Sequence, residues 1–276
     1  MTATKNIIAD SFSRSASQYD SAANIQQQAG RQLLSCVQQY INKETDSVIS
    51  GSVIADVGCG TGFFAQPLVA LFQPKQYLGI DIAEGMLAVA KENNADYFLA
   101  SSTAAQWCCH DAENLLLANE SVDIIFANFS LQWCDDLPSL MRSFYRVMKP
   151  GGLVCFTSLG ENTLHELRNA WQHVDNITHV NQFMASSRWQ QATKQVGFVV
   201  KQHYSNDMIE YFDSPTSVMR SLKTIGANII KGQQQSGLTG KQRFAQLLDA
   251  YEKCRATQGV PATYAVDGWI IKKPEC

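Results

Sequence analysis

Residues 53–68 read VIADVGCGTGFFAQPL. An apolar run of strand type leads to Asp56, then Gly58, Gly60 and Gly62 recur at every second position, and apolar residues resume at Phe63. Glycine has no Cβ, so such a turn can reverse sharply and let a ligand lie against bare main chain. A dinucleotide fingerprint needs G-x-G-x-x-G; here the third glycine arrives one position early and Phe63 stands where it should be. The spacing argues against a pyrophosphate cradle and for a different nucleoside ligand.

Downstream, short β-rich runs alternate with helical stretches: QYLGIDI, EGMLAVAKENN, SVDIIFANFS, LPSLMRSFYRVMK and GGLVCFTSL. This alternation predicts an α/β fold, a doubly wound and mostly parallel sheet with helices on both faces. Strands are expected near 53–57, 76–81, 105–109, 122–128, 152–158, 197–205 and 262–271. Four pieces follow: a helical cap over 1–50, an α/β core over 51–206, a helical insertion over 207–260, and a final core strand with the C-terminus over 261–276. The two helical pieces are too long for ordinary connections and are expected to form a substrate cap.

Asp81 ends the second expected strand, where an acidic side chain can accept hydrogen bonds from both hydroxyls of a ribose. Asp111 follows the third and could hold an adenine amino group. With the glycine turn, they fall in register at the C-terminal edge of one sheet, where open α/β sheets bind ligands.

Of 276 residues, 22 are Lys or Arg and 25 are Asp or Glu, giving a net charge of −3 that excludes strong overall attraction to nucleic acid. Residues 214–260 differ: Arg220, Lys223, Lys231, Lys241, Arg243, Lys253 and Arg255 face only Asp249 and Glu252, a local net of +5. That basic insertion could dock an acidic partner or simply be a set of solvated helix faces. No run of 18 apolar residues could span a bilayer, and the first twenty residues lack a basic region followed by an apolar run and cleavage site. A cytoplasmic protein without membrane contact is expected. The eight cysteines have no paired CxxC spacing, and His110, His165, His173, His179 and His203 are scattered, so neither set predicts a metal.

DVGCGTG, GIDIAEGML, HDAENL and VMKPGG together resemble the successive motifs of class I S-adenosylmethionine-dependent methyltransferases. The resemblance implies seven strands with the last antiparallel, and S-adenosylmethionine as cofactor, released as S-adenosylhomocysteine. It implies cofactor contacts by Asp56, Gly58, Cys59, Gly60, Gly62, Asp81, Ile82, Met86, Asp111, Ala112 and Asn128. SFSRSASQYDSAANIQQQ, SLQWCDDL, LHELRNAWQHVDNITHVNQF, VMRSLKTIGAN and PATY resemble the malonyl-acyl-carrier-protein O-methyltransferase family of biotin synthesis. Membership implies methyl transfer to the free carboxylate of a malonyl thioester, with acyl carrier protein as partner. A carboxylate is already nucleophilic at neutral pH, so alignment rather than a catalytic triad is expected. Tyr19, Asn128 and Gln132 are the expected catalytic residues, with Arg14, Trp133, His179, Arg220 and Lys223 binding the substrate or carrier. A small-molecule methyltransferase acting on a quinone precursor or free dicarboxylate, or a cofactor-binding protein resembling a respiratory complex I assembly factor, are the alternatives.

Overall fold

The computed structural model describes residues 2–43, 51–175, 177–227 and 240–275. Two long helices, α1 (Ala3–Ala22) and α2 (Asn24–Lys43), precede the sheet. Then come β1 (Val53–Val57), α3 (Ala65–Phe72), β2 (Gln76–Asp81), α4 (Glu84–Asn93), α5 (Ala95–Ala100), β3 (Ala104–Cys109) and β4 (Val122–Ala127). The second half holds α6 (Leu137–Val147), β5 (Met148–Leu159), α7 (His165–Gln172), α8 (Ser186–Gln195), β6 (Val199–Phe212), α9 (Pro215–Thr224), α10 (Lys241–Glu252) and β7 (Val260–Lys272).

The seven strands lie in the order β3-β2-β1-β4-β5-β7-β6. β7 runs antiparallel to both its neighbours, β5 and β6, while β1 to β5 pair in parallel. β1 is buried along its whole length because helices cover both faces, which is why its sequence is a continuous apolar run around Asp56. It pairs with β2 on one side and β4 on the other, so the strand order reverses at β1 and a crevice opens beyond its C-terminal end. Local chemistry sets the helix starts. Asp136 caps α6 by accepting from Ser139 N at 3.2 Å, with Pro138 in the first turn, and Ser214 caps α9 by accepting from Ser217 N at 3.2 Å.

β6 and β7 outrun the rest of the sheet. Their pairing continues from Val199↔Lys272 to Phe212↔Val260, whereas β5 releases β7 at Leu159↔Val266. The expected strand at 197–205 therefore extends to Phe212, and the piece between the last two strands begins at 213 rather than 207. The overhanging ribbon buries Val260, Ala262 and Tyr264 against Leu167 of α7, Leu222 of α9 and Leu247 and Tyr251 of α10. This satellite core builds the wall of a second cavity. The long link between Asp81 and Asp111 is absorbed by the extra helix α5, so Asp111 still arrives directly beyond β3.

Candidate active site

The glycine turn sits at the switch point. Gly58 and Cys59 donate their N–H groups to Ile80 O at 2.7 and 3.0 Å, which ties the turn to β2. Asp81 then accepts from Gly60 N at 2.9 Å and from Ala83 N at 2.8 Å. Each of its oxygens retains lone-pair capacity for a further donor, as a carboxylate can accept about four bonds. Burial lifts its pKa, opposed by the backbone donors.

The three glycines have separate reasons. A Cβ on Gly58, at φ +75°, would stand 2.1 Å from Ser130 Cβ, whereas one on Gly60, at φ +54°, meets nothing within 4 Å. Gly60 is thus where a ligand can approach main chain. Gly62 is crowded on its side-chain face toward α4 and β3: a Cβ there would meet Asn94 Nδ2 at 2.6 Å and lie close to Ala90 and Trp107.

A cavity opens above the turn, lined by Gly58, Gly60, Asp81, Ile82, Met86, His110, Asp111, Ala112 and Asn128, with Lys5, Ile8, Phe12 and Tyr19 of α1 along one side. A smaller space lies between Asp20, Asp56, Cys59, Thr61 and Asn128. Asp56 accepts from the Tyr77 hydroxyl at 2.8 Å. Burial pushes its carboxyl up to about 7; the Asp81 charge adds to this and the Tyr77 bond opposes it.

A second, roomier cavity adjoins the first, with Phe12, Tyr19, Phe129 and Trp133 lining both. Its remaining wall includes Gln132, Leu159, Leu164, Leu167, Trp171, His179, Phe183, Met219, Leu222 and Tyr264. Tyr19 also borders the smaller space, so it stands where all three meet. Burial, followed by the charges of Asp81 and Asp20, drives its phenol upward, leaving a neutral hydroxyl donor at neutral pH.

The structure brings Tyr19, Asn128, Gln132, Trp133 and His179 to these cavities. The amides are engaged by protein: Asn128 Nδ2 donates to Gln26 O at 2.9 Å and its Oδ1 accepts from Thr157 at 2.8 Å, while Gln132 Nε2 donates to Phe129 O at 2.7 Å. Gln132 Oε1 is a buried acceptor with no hydrogen-bond partner, the wrong polarity to receive a carboxylate. Arg14, Arg220 and Lys223 are exposed and line neither cavity. Met219 and Leu222 face the second cavity from α9, so the helix turns its apolar side inward and places Arg220 and Lys223 outside. Of the residues expected to bind substrate or carrier, Arg14, Arg220 and Lys223 thus lie outside both cavities.

Sequence reasoning missed Lys5. Its side chain is 5% exposed and its ammonium bonds Asp111 Oδ2 at 2.6 Å and Glu113 Oε2 at 2.5 Å, fastening the start of α1 to the cavity rim. Burial acts against its charge, but the two carboxylates outweigh burial and raise its pKa. Asp20 was missed too; it accepts from Thr61 Oγ1 at 2.6 Å. No local pattern announces either pair, which join residues 106 and 41 positions apart. His110 also lines the first cavity, where burial lowers its pKa and its Nδ1 has no partner.

Residues 55–156 match the model of a family described as "Methyltransferase domain". A putative methyltransferase from Bacillus halodurans superposes with a TM-score of 0.60 at 16% identity, covering 87% of this chain and 98% of that one, which establishes the shared fold. The biotin biosynthesis bifunctional protein BioHC of Cellvibrio japonicus is 38% identical over 98% of this chain, which spans about half (50%) of that longer protein. The malonyl-acyl-carrier-protein O-methyltransferase of Yersinia pestis is 38% identical over 261 residues, covering 94% of this chain and 88% of that protein. At that identity and mutual coverage, the chain belongs to the malonyl-acyl-carrier-protein O-methyltransferase family.

Proposed function

We propose that this chain transfers a methyl group from S-adenosylmethionine to the free carboxylate of a malonyl thioester carried on acyl carrier protein. One observation carries the reading: the cavity above the glycine turn and the apolar second cavity share a wall at Phe12, Tyr19, Phe129 and Trp133, so a donor in one and an acceptor in the other would meet there.

The first cavity fits the cofactor on its own terms. Gly60 leaves its ligand side open, Asp81 retains acceptor capacity for two ribose hydroxyls, and the unpartnered His110 Nδ1 faces the adenine end beside Asp111 and Ala112. Asp20, in the smaller space, would supply counter-charge for a methionine ammonium, with Asp56 in the same space as a hydrogen-bond acceptor. Ile82 and Met86 offer apolar contact to the nucleoside, and Gly58, Cys59 and Asn128 bound the methionine part. When bound, S-adenosylmethionine supplies a methyl group on a sulfonium sulfur.

The protein's task is then alignment and exclusion of water. The second cavity's aromatic and aliphatic walls would strip water from the acceptor, and a desolvated carboxylate is a stronger nucleophile. Tyr19 can hold one carboxylate oxygen by its hydroxyl while the other attacks in line. No side chain has to remove a proton, since the acceptor is ionised. The exposed basic residues of α9 and α10, Arg220, Lys223, Lys241 and Lys253 among them, would meet the acidic carrier outside the cavity. Lys231, the remaining cation of the expected basic insertion, lies outside the described residues.

A transfer assay with methyl-labelled cofactor and malonyl-acyl carrier protein, malonyl-coenzyme A and free malonate tests the reading. Label on the carrier-bound malonyl group, released by mild ester hydrolysis, is expected. Transfer only to free malonate would replace it with a small-molecule acceptor, and cofactor binding without transfer to any of the three would overturn it.

A further inference from the structure

We propose that His179 is the residue that binds the acceptor's free carboxylate, and that Asp175 and Arg243 are positioning residues that hold it there. The inference rests on the carboxyl methyl-transfer reading and identifies how that site chooses an anion.

A carboxylate brought into a cavity walled by Leu, Phe and Trp needs a charged or strongly donating partner, because an unpaired buried charge is very costly. Among the described residues lining the second cavity, only His179 can carry positive charge. The other cations considered from the sequence lie outside on α1 and α9. Of the amides there, Gln132 spends one N–H on Phe129 O, and no amide donor carries charge to offset that of a carboxylate.

His179 is held by two groups, one of them anchored in turn. Its ring stacks on Trp171 with centroids 3.5 Å apart and planes 13° from parallel. Nε2 lies 2.9 and 3.1 Å from the two carboxylate oxygens of Asp175. Asp175 is in turn fixed by Ile177 N at 2.8 Å and by the guanidinium of Arg243, which reaches over from α10. Burial works to raise the Asp175 carboxyl, but the Ile177, Arg243 and His179 bonds together hold it below its ordinary value, so it stays an anion. With Nε2–H given to Asp175, the ring presents Nδ1–H when it carries its second proton. That is one charge-assisted donor for one carboxylate oxygen. Tyr19 lines the same cavity at its cofactor end, so a short acceptor can have one anchor and still offer an oxygen for attack.

The test uses the full chain with S-adenosylmethionine and malonyl-coenzyme A, which bypasses carrier docking. His179→Gln should raise KM for malonyl-coenzyme A on the order of tenfold or more, with kcat and cofactor affinity nearly unchanged. The methyl ester of malonyl-coenzyme A, which differs only in having lost that charge, should inhibit wild type and His179→Gln equally well. Asp175→Asn and Arg243→Gln should move KM in the same direction by smaller factors, without changing inhibition by the ester. An unchanged KM, or equal losses for the acid and the ester, overturns the assignment while leaving the reaction intact. Failure of the wild type to methylate malonyl-coenzyme A or the carrier-borne form would overturn the reaction itself and this assignment with it.

Discussion

The two cavities are made in opposite ways. The cofactor side is built mainly from backbone near strand ends, with Gly58, Gly60, Asp81 and Ala83 joined by short-range hydrogen bonds across adjacent parallel strands. The acceptor side is built from side chains of α1, α7, α9, the 3₁₀ turn Leu131–Trp133 and the overhanging β7. Backbone geometry tolerates few alternatives, whereas a wall of side chains can be exchanged residue by residue. One scaffold can thus keep its methyl donor while its acceptors diverge.

The contrast can be broken by showing that the cofactor side is as tolerant as the acceptor side. The largest effect is expected at Asp56. Its carboxyl ionises near 7 in the fold against an ordinary 3.8, so between these values the folded chain holds a proton that the unfolded chain has released. Stability from this group is therefore greatest at low pH and falls as pH rises through that window, by at most about 4 kcal/mol. Asp56→Asn should abolish the slope and be more stable than the parent at pH 8, as read by urea unfolding across pH. A parallel pH dependence in both proteins would contradict the burial argument.

Gly58→Ala should follow, at about 3 kcal/mol, combining a left-handed backbone with a Cβ pressed on Ser130. Gly60→Ala, which meets nothing, should cost only about 1 kcal/mol of stability, yet weaken cofactor binding out of proportion to that loss. Unfolding curves paired with calorimetric titration separate the two; equal profiles would mean that the glycines share one role.

Lys5→Met tests whether α1 belongs to the cofactor side. Losing the bonds to Asp111 and Glu113 should speed cofactor dissociation by about tenfold, measured by stopped-flow fluorescence. A smaller change is expected on the outer face of the acceptor side. Arg220→Glu with Lys223→Glu should raise KM for carrier-borne malonyl by a few-fold, and the difference from wild type should shrink as salt shortens the Debye length from ~10 Å at 0.1 M to ~3 Å at 1 M. An equal rise for malonyl-coenzyme A would place these residues in the reaction site after all.

The same contrast explains what could be read from the sequence. Asp56, Gly58, Gly60, Asp81 and Asp111 could be brought together from the sequence because each lies at or just beyond the C-terminal end of a strand, and strand ends in a parallel sheet converge without knowledge of any long-range contact. Residue pairs across distant segments were not legible: nothing near Lys5 points to Asp111, and for Arg14 and Arg220 the charge could be read while the direction could not. The crowding of Gly62 by Asn94 and Trp107 was equally hidden, because both neighbours lie on later elements. The reach of β6 to Phe212 was hidden because its second half pairs only with β7, beyond the sheet that the strand pattern describes.

Helix α1 touches both cavities, with Lys5 and Ile8 on one and Phe12 and Tyr19 on both. A single rigid element shared by two ligands makes their affinities reciprocal: whatever the cofactor contributes to seating α1, the acceptor finds already done, and the acceptor returns the same factor to the cofactor.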